Sequence, residues 1–164
     1  MLDVSRVSSG DIRLERHEID FVALIRESAR AILYPLDRAG QLTLLLPEKL
    51  LLWVDPVRIE QVIENLFTNA LKYGENKPVK IYLEIEEKEV ILTVEDQGIG
   101  IAPEFHSRIF DRFERGRSAK NIAGLGLGLY IVRQIVEAHS GSIEVDSLPG
   151  AGASFKVRLP LGRS

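Results

Sequence analysis

The chain has 164 residues, 45% of them hydrophobic and 27% charged, with 24 acidic groups against 21 basic ones. That length suits one cooperative domain, and the formal charge of −3 excludes a broadly basic nucleic-acid surface. There is no cysteine, which excludes disulfides, thiol catalysis and Cys-ligated zinc or iron–sulfur centres. The longest apolar stretch, Leu42 to Val54, is broken by Pro47, Glu48 and Lys49 and falls short of the roughly 20 residues a bilayer requires. The opening MLDVSRVSSGD carries one basic residue and lacks the apolar core of a secretory signal. A cytoplasmic location is expected, compatible with a longer parent chain anchored in the inner membrane.

In chain order, residues 1–10 read as the end of a preceding element, with Ser8-Ser9-Gly10 as a helix stop. Asp20 caps a predicted helix to about Leu33, in which Phe21, Leu24, Ile25, Ala29 and Ile32 recur at roughly the helical period. A turn at Asp37-Arg38-Ala39-Gly40 leads to a predicted strand, Leu42 to Leu46. Asp55-Pro56 opens the strongest helix: the carboxylate accepts first-turn amide hydrogens, and proline at the next position loses no bond. Ile59, Ile63, Leu66, Phe67 and Ala70 line one side of it; Arg58, Gln61, Asn65, Asn69 and Lys72 line the other.

Alternation at Val79, Ile81, Leu83 and Ile85, then at Val90, Leu92 and Val94, predicts a hairpin turning at Glu86-Glu87-Lys88. A glycine corner (Gly98, Gly100) follows, then a short helix opened by Pro103 and a loop over Glu114 to Ala123. A helix from about Leu127 to His139 and a final hairpin, Ile143 to Leu148 and Ser154 to Leu159, complete the order. The connections Ile85–Val90 and Leu148–Ser154 are too short for parallel crossovers. The expectation is an α+β fold, a sheet covered on one face by helices.

Three segments could carry chemistry. Asn65 and Asn69 project from one helix face beside Lys72, a set suited to hydrated Mg²⁺ and an oligophosphate, and equally to a solvated helix face. Asp96 precedes Gly98 and Gly100 at a strand end, where a carboxylate can accept an exocyclic amine such as that of adenine; an ordinary turn also fits. Gly124, Gly126 and Gly128 alternate with leucines before a helix, giving either a phosphate cradle or a tight corner. Leu129 occupies the position where a dinucleotide fingerprint needs its third glycine, and no GxxxxGK[ST] loop is present.

Taken in order, these segments resemble the ATP-binding catalytic domain of sensor histidine kinases, within the superfamily that also holds DNA gyrase, mismatch-repair and chaperone ATPases. NLFTNALKYG (65–74) is similar to the N box, DQGIG (96–100) to the first glycine box, FDRF (110–113) to the F box and GLGLGL (124–129) to the second glycine box. The ending at 139–160 resembles the family's closing hairpin. The resemblance implies a two-layer α/β sandwich of the GHKL type, a mixed sheet under three main helices. It implies a stub of dimerisation-domain exit helix and linker at 1–19, a catalytic domain at 20–161, and an ATP lid at about 114–123.

ATP and Mg²⁺ are the implied ligands. Asn65 and Asn69 would organise Mg²⁺ and phosphates, with Lys72 touching phosphate. Tyr73, Asp96, Gly98, Gly100 and Ile101 would form the purine end, and Asp96 would accept the adenine amine. Phe110 and Phe113 would anchor the lid, Arg115 or Arg117 would reach phosphate, and Gly124, Leu125, Gly126, Leu127, Gly128 and Leu129 would form the cradle. Two positions depart from the family pattern: Leu125 stands where threonine is usual, and Ala153 replaces the threonine of the closing Gly-x-Gly-Thr, with Ser154 the next hydroxyl along.

The implied reaction transfers the γ-phosphoryl group of ATP to a histidine on a separate dimerisation/phosphoacceptor domain, with a response-regulator receiver domain as indirect partner. No nucleic-acid partner is expected, and this chain by itself is expected to be a monomer. Of the three histidines, His17 lacks the acceptor pattern, His106 reads as a surface residue, and His139 as a group satisfying the last carbonyls of its helix. The alternatives are a serine kinase of the anti-sigma-factor type and a regulatory module that holds nucleotide without phosphotransfer.

Overall fold

The computed structural model describes residues 12–34, 41–111 and 125–162. Asp20 closes a short strand, β1 (His17–Asp20), and its Oδ1 accepts the Val22 amide hydrogen at 3.1 Å, opening helix α1 (Phe21–Leu33). Phe21, Ile25 and Ala29 of that helix are buried, as their spacing predicts. The predicted turn at 37–40 lies outside the described residues. Strand β2 (Leu42–Leu45) follows, then β3 (Leu51–Val54).

Strands β1 and β3 form a separate antiparallel ribbon pairing His17 with Val54 and Asp20 with Leu51. The sequence reading put residues 17–19 in a linker and found no strand at 51–54. Both are strands because each supplies the other's ladder, a pairing between distant segments that no local period announces.

Helix α2 (Pro56–Tyr73) begins as expected: Asp55 Oδ1 accepts the Val57 and Arg58 amide hydrogens at 3.1 and 3.2 Å. Ile63, Leu66 and Phe67 are at most 1% exposed, and each such side chain contributes about 1.5–3 kcal/mol by leaving water. The chain turns out of α2 through Glu75 and Asn76, both at positive φ (54° and 60°). Strands β4 (Val79–Glu86) and β5 (Glu89–Glu95) form the predicted hairpin. Two 3₁₀ turns, Pro103–Phe105 and Arg108–Phe110, stand where one short helix was expected.

Helix α3 (Leu125–Ala138) starts two residues earlier than the predicted Leu127, so Gly126 lies inside it together with Gly128 rather than in a preceding loop. Strands β6 (Ser142–Ser147) and β7 (Ala153–Pro160) close the chain. The main sheet has the order β2–β4–β5–β7–β6, with β2 and β4 parallel and the other neighbours antiparallel. Its inner face (Val79, Ile81, Leu92, Val94, Phe155 and Val157) packs in one core with the buried stripes of the three helices. This is the expected mixed sheet under helices. The other face is largely charged, carrying Lys80, Glu84, Lys156, Arg158 and Glu144.

Candidate functional site

Beside the C-terminal half of α2, the loop after β5 and the start of β7 line a slot that opens to solvent, its inner end holding about 20 Å³, room for roughly one water molecule. Asn69, Tyr73, Asp96, Ile99, Gly100, Ile101, Ala153 and Phe155 line it. The loop is seated directly on the end of α2: a Cβ on Gly98 would fall 1.9 Å from the Tyr73 carbonyl oxygen, so that position admits no side chain.

Asp96 is 7% exposed, and both of its side-chain hydrogen bonds fall on Oδ1, from the amides of Gly98 (2.9 Å) and Ala153 (3.2 Å). Oδ2 keeps no partner among the described residues. Burial pushes this carboxyl above the usual aspartate value, against the two amide donors that favour the anion, while the neighbouring Glu95 charge pushes the same way as burial. A second unmet group sits nearby. The Nδ2 of Asn69 is buried without a hydrogen-bond partner among the described residues, a costly state for an amide unless a ligand completes it.

The remaining predicted residues separate into groups. Asn69 lines the slot but Asn65 does not: its Nδ2 donates to Gln61 O at 3.0 Å, and its Oδ1 lies 3.2 Å from where a Gly128 Cβ would be. Gly128 therefore lets α3 approach the asparagine of α2 closely. Lys72 is exposed, with Nζ 5.3 Å from the Tyr73 ring centroid, and Leu129 is fully buried in the core. Leu125, Gly126 and Leu127 form the start of α3, where amide hydrogens lack helical acceptors. Phe113, Arg115, Arg117 and Gly124 lie outside the described residues, as does the whole of the predicted lid at 114–123. Phe110 packs edge-on against Phe155, ring centroids 6.3 Å apart, and so supports the slot wall.

The sequence reading missed Phe155 and Ile99 as slot residues and named Ala153 only as a departure from the family pattern, although the period-2 pattern of β7 places Phe155 and Ala153 on the inner face. By the same alternation Ser154 is on the outer face, paired with Glu95 and Asp146, and does not supply a hydroxyl to the slot in place of Ala153. His106 is not a plain surface residue, since its Nε2 lies 3.0 Å from Ile101 O. His139 does bond a late helix carbonyl, Ile135 O at 2.8 Å, and its Nε2 also accepts the Asp55 amide hydrogen at 3.0 Å.

The family model described as histidine kinase-, DNA gyrase B-, and HSP90-like ATPase matches residues 54–163. The chain belongs to this ATPase family. Its similarity to sensor histidine kinases extends over nearly all of its length: 33% identity to the sensor histidine kinase MtrB of Mycolicibacterium paratuberculosis over 99% of the chain, and 37% to the sensor protein KdpD of Escherichia coli over 98%. The chain spans 30% and 18% of those two curated relatives. Among solved structures it is similar to the Acinetobacter baumannii histidine kinase AdeS (TM-score 0.77, 29% identity, 98% of this chain and 74% of that one). It is also similar to the catalytic domain of the histidine kinase ThkA (TM-score 0.75, 30% identity, 90% of this chain and 96% of that one).

As a member of the ATPase family, the domain is an ATP-binding one of the kinase type, and its unmet groups fit that ligand. Asp96 Oδ2 offers an acceptor to an exocyclic amine, and the Asn69 amide offers a donor or, turned over, a hard oxygen ligand.

Proposed function

We propose that this domain binds Mg·ATP with the purine in the Asp96 slot and donates the γ-phosphoryl group to a histidine on a separate dimerisation/phosphoacceptor domain. The observation that carries the reading is the pair of unmet polar groups in one slot, the buried Asn69 amide nitrogen and Asp96 Oδ2. Adenine presents the matching amine, and guanine presents a carbonyl at that place, which would face the carboxylate oxygen and repel it. The named relatives MtrB and KdpD, both sensor proteins, support the phosphotransfer half.

When bound, Mg²⁺ neutralises phosphate charge that builds during transfer. The Asn69 amide, with Asn65 one turn earlier on α2, would hold the cation and the phosphates beside it. Amide hydrogens at the start of α3 add donors for phosphate oxygens. The chain's part is orientation and exclusion of water from the purine end. In the reaction a histidine nitrogen attacks the γ-phosphorus, the bond to the β–γ bridging oxygen breaks, and ADP leaves.

None of the three histidines here suits the acceptor role. His139 is buried with both ring nitrogens engaged, His106 is tied to the Ile101 carbonyl, and His17 lacks the acceptor pattern, its His-Glu continuing as Ile-Asp-Phe. The acceptor therefore comes from another domain, and a receiver domain takes the phosphoryl group from it. Calorimetric titration with a non-hydrolysable ATP analogue tests the first half; the expected result is saturable 1:1 binding that the matching GTP analogue does not reproduce. Incubation with labelled ATP tests the second: label is expected on an added dimerisation domain and not on this chain. Stoichiometric label on the chain alone would overturn the donor-only reading.

A further inference from the structure

The loop that lines the slot is held from behind by the turn between β6 and β7. Gly152 donates to Gly98 O at 3.1 Å, Gly150 donates to Ile99 O at 2.7 Å, and Asp96 donates to Ala153 O at 2.9 Å. Gly100 takes a φ of 73°, and a Cβ there would lie 2.0 Å from Leu148 O, so the two segments touch backbone to backbone. Two side chains complete the joint. Ser147 is 6% exposed; its Oγ accepts the Ile101 amide hydrogen at 2.8 Å and donates to Gly152 O at 2.5 Å. His106 Nε2 lies 3.0 Å from Ile101 O and donates to it in the tautomer that carries the proton there. Ile101 thus has both backbone groups held by side chains while its own side chain lines the slot.

We propose that Ser147, assisted by His106, is a positioning residue for nucleotide binding, fixing the height of the Gly98–Ile101 loop over the slot without touching the ligand. The proposal rests on the ATP-binding reading above. A hydroxyl both accepts and donates from one atom, a combination that neither a carbonyl nor an amide hydrogen supplies alone. Without it the Ile101 amide and the Gly152 carbonyl each lose a buried partner. The least costly relief is for the loop to lift toward water, which widens the slot and loosens its grip on the purine.

The test is titration of the full chain with the ATP analogue and with ADP, in wild type, Ser147→Ala, Ser147→Thr, His106→Ala and Ile143→Ala. Ser147→Ala is expected to weaken both nucleotides by about tenfold and by the same factor with and without Mg²⁺, because the defect is at the purine end. Ser147→Thr restores the hydroxyl and should recover most of that loss. Ile143→Ala, on the same strand but opposite Val157, should lower the melting temperature and leave affinity within about twofold. His106→Ala should weaken binding by about threefold and keeps the proposal testable if Ser147→Ala does not fold. Faster exchange of the Ile101 amide in nucleotide-free Ser147→Ala would be the direct signature. Wild-type binding with unchanged affinity in folded Ser147→Ala, or in His106→Ala if that is the variant that folds, overturns the positioning role and spares the ATP reading. Absence of binding by wild type overturns both.

Discussion

Two nearly buried aspartates, Asp55 and Asp96, head two regions of the molecule and use their carboxylates in opposite ways. At the joint between residues 15–16 and α2, Asp55 Oδ1 caps α2 through Val57 and Arg58, and its Oδ2 accepts the Glu15 amide hydrogen at 2.9 Å. Its own amide hydrogen goes to His139, and Arg16 donates to Ala138 O beside it. Both oxygens are spent on the fold. At the loop after β5, Asp96 places both of its bonds on Oδ1 and leaves Oδ2 without a partner among the described residues. A charge that is fully partnered holds structure together; one left half-partnered, with burial pushing its pKa up, has an acceptor still open to a ligand.

The sharpest way to break that contrast is to remove each charge in turn. Asp96→Asn should cost about a hundredfold in affinity for the ATP analogue, because the unmet acceptor becomes a poorer one, and should leave urea stability within about 0.5 kcal/mol. The contrast fails if stability falls and affinity does not. Asp55→Ala should do the reverse. Loss of the cap and of the Glu15 partner should lower unfolding free energy by about 2 kcal/mol, with little change in affinity of the folded protein. Titration and urea unfolding on both variants give the four numbers needed.

The joint also carries a pH dependence that can be separated from that of the slot. His139 is 4% exposed, donates Nδ1–H to Ile135 O and accepts at Nε2 from Asp55, so only the neutral ring fits. Burial lowers its pKa, and the Arg16 charge does so further, opposed by the Ile135 carbonyl and the Asp55 charge. The unfolded chain takes up a proton near pH 6.5 that the native joint refuses. The contribution to stability is therefore full above that pH and is lost progressively below it, by at most about 1.4 kcal/mol per pH unit. His139→Gln should flatten this slope between pH 6.5 and 5 in urea unfolding. Asp96, raised rather than lowered, contributes the opposite sign: its protonation on acidification relieves a buried charge and adds to stability while weakening adenine recognition, so affinity and the Asp96 contribution to stability should move in opposite directions as the pH falls.

The difference between the two regions also explains what could be read from sequence. Asp55-Pro56 and the apolar stripe after it act within one turn of chain, and α2 begins as that pattern predicts. The β4–β5 hairpin likewise follows from strict alternation around a short turn. The β1–β3 ribbon was invisible because HEID has no alternation and Leu51–Val54 reads as the tail of one apolar run. Gly126 reads from sequence as lying before the helix, since glycine weakens a helix by about 1 kcal/mol relative to alanine. At Gly128 the reason for helix is tertiary, since a Cβ there would crowd Asn65. At the site, Asp96 and Asn69 stand out by chemistry and Tyr73 through the N-box resemblance, whereas Ser147 lies far along the chain and enters only when β6 is brought against the loop.

The smallest expected effect belongs to a charge that neither region uses. Arg158, on the outer sheet face, lies within 3.1–3.7 Å of carboxylate oxygens of Glu86, Glu89 and Glu144, each of which is at least 40% exposed. Solvent and salt screen such pairs, so the charge adds little to stability. Its stem has a different role: Arg158 stands opposite Ile91, which is 3% exposed although the face around it is polar. Arg158→Met keeps a stem over Ile91 and removes the charge; Arg158→Ala removes both. At low salt Met should unfold slightly before wild type and at about 1 M salt together with it, whereas Ala should unfold earlier than wild type at both. Neither variant should alter nucleotide affinity. A salt-dependent loss of affinity would mean that the outer face communicates with the slot, and the contrast between Asp55 and Asp96 would no longer be a local one.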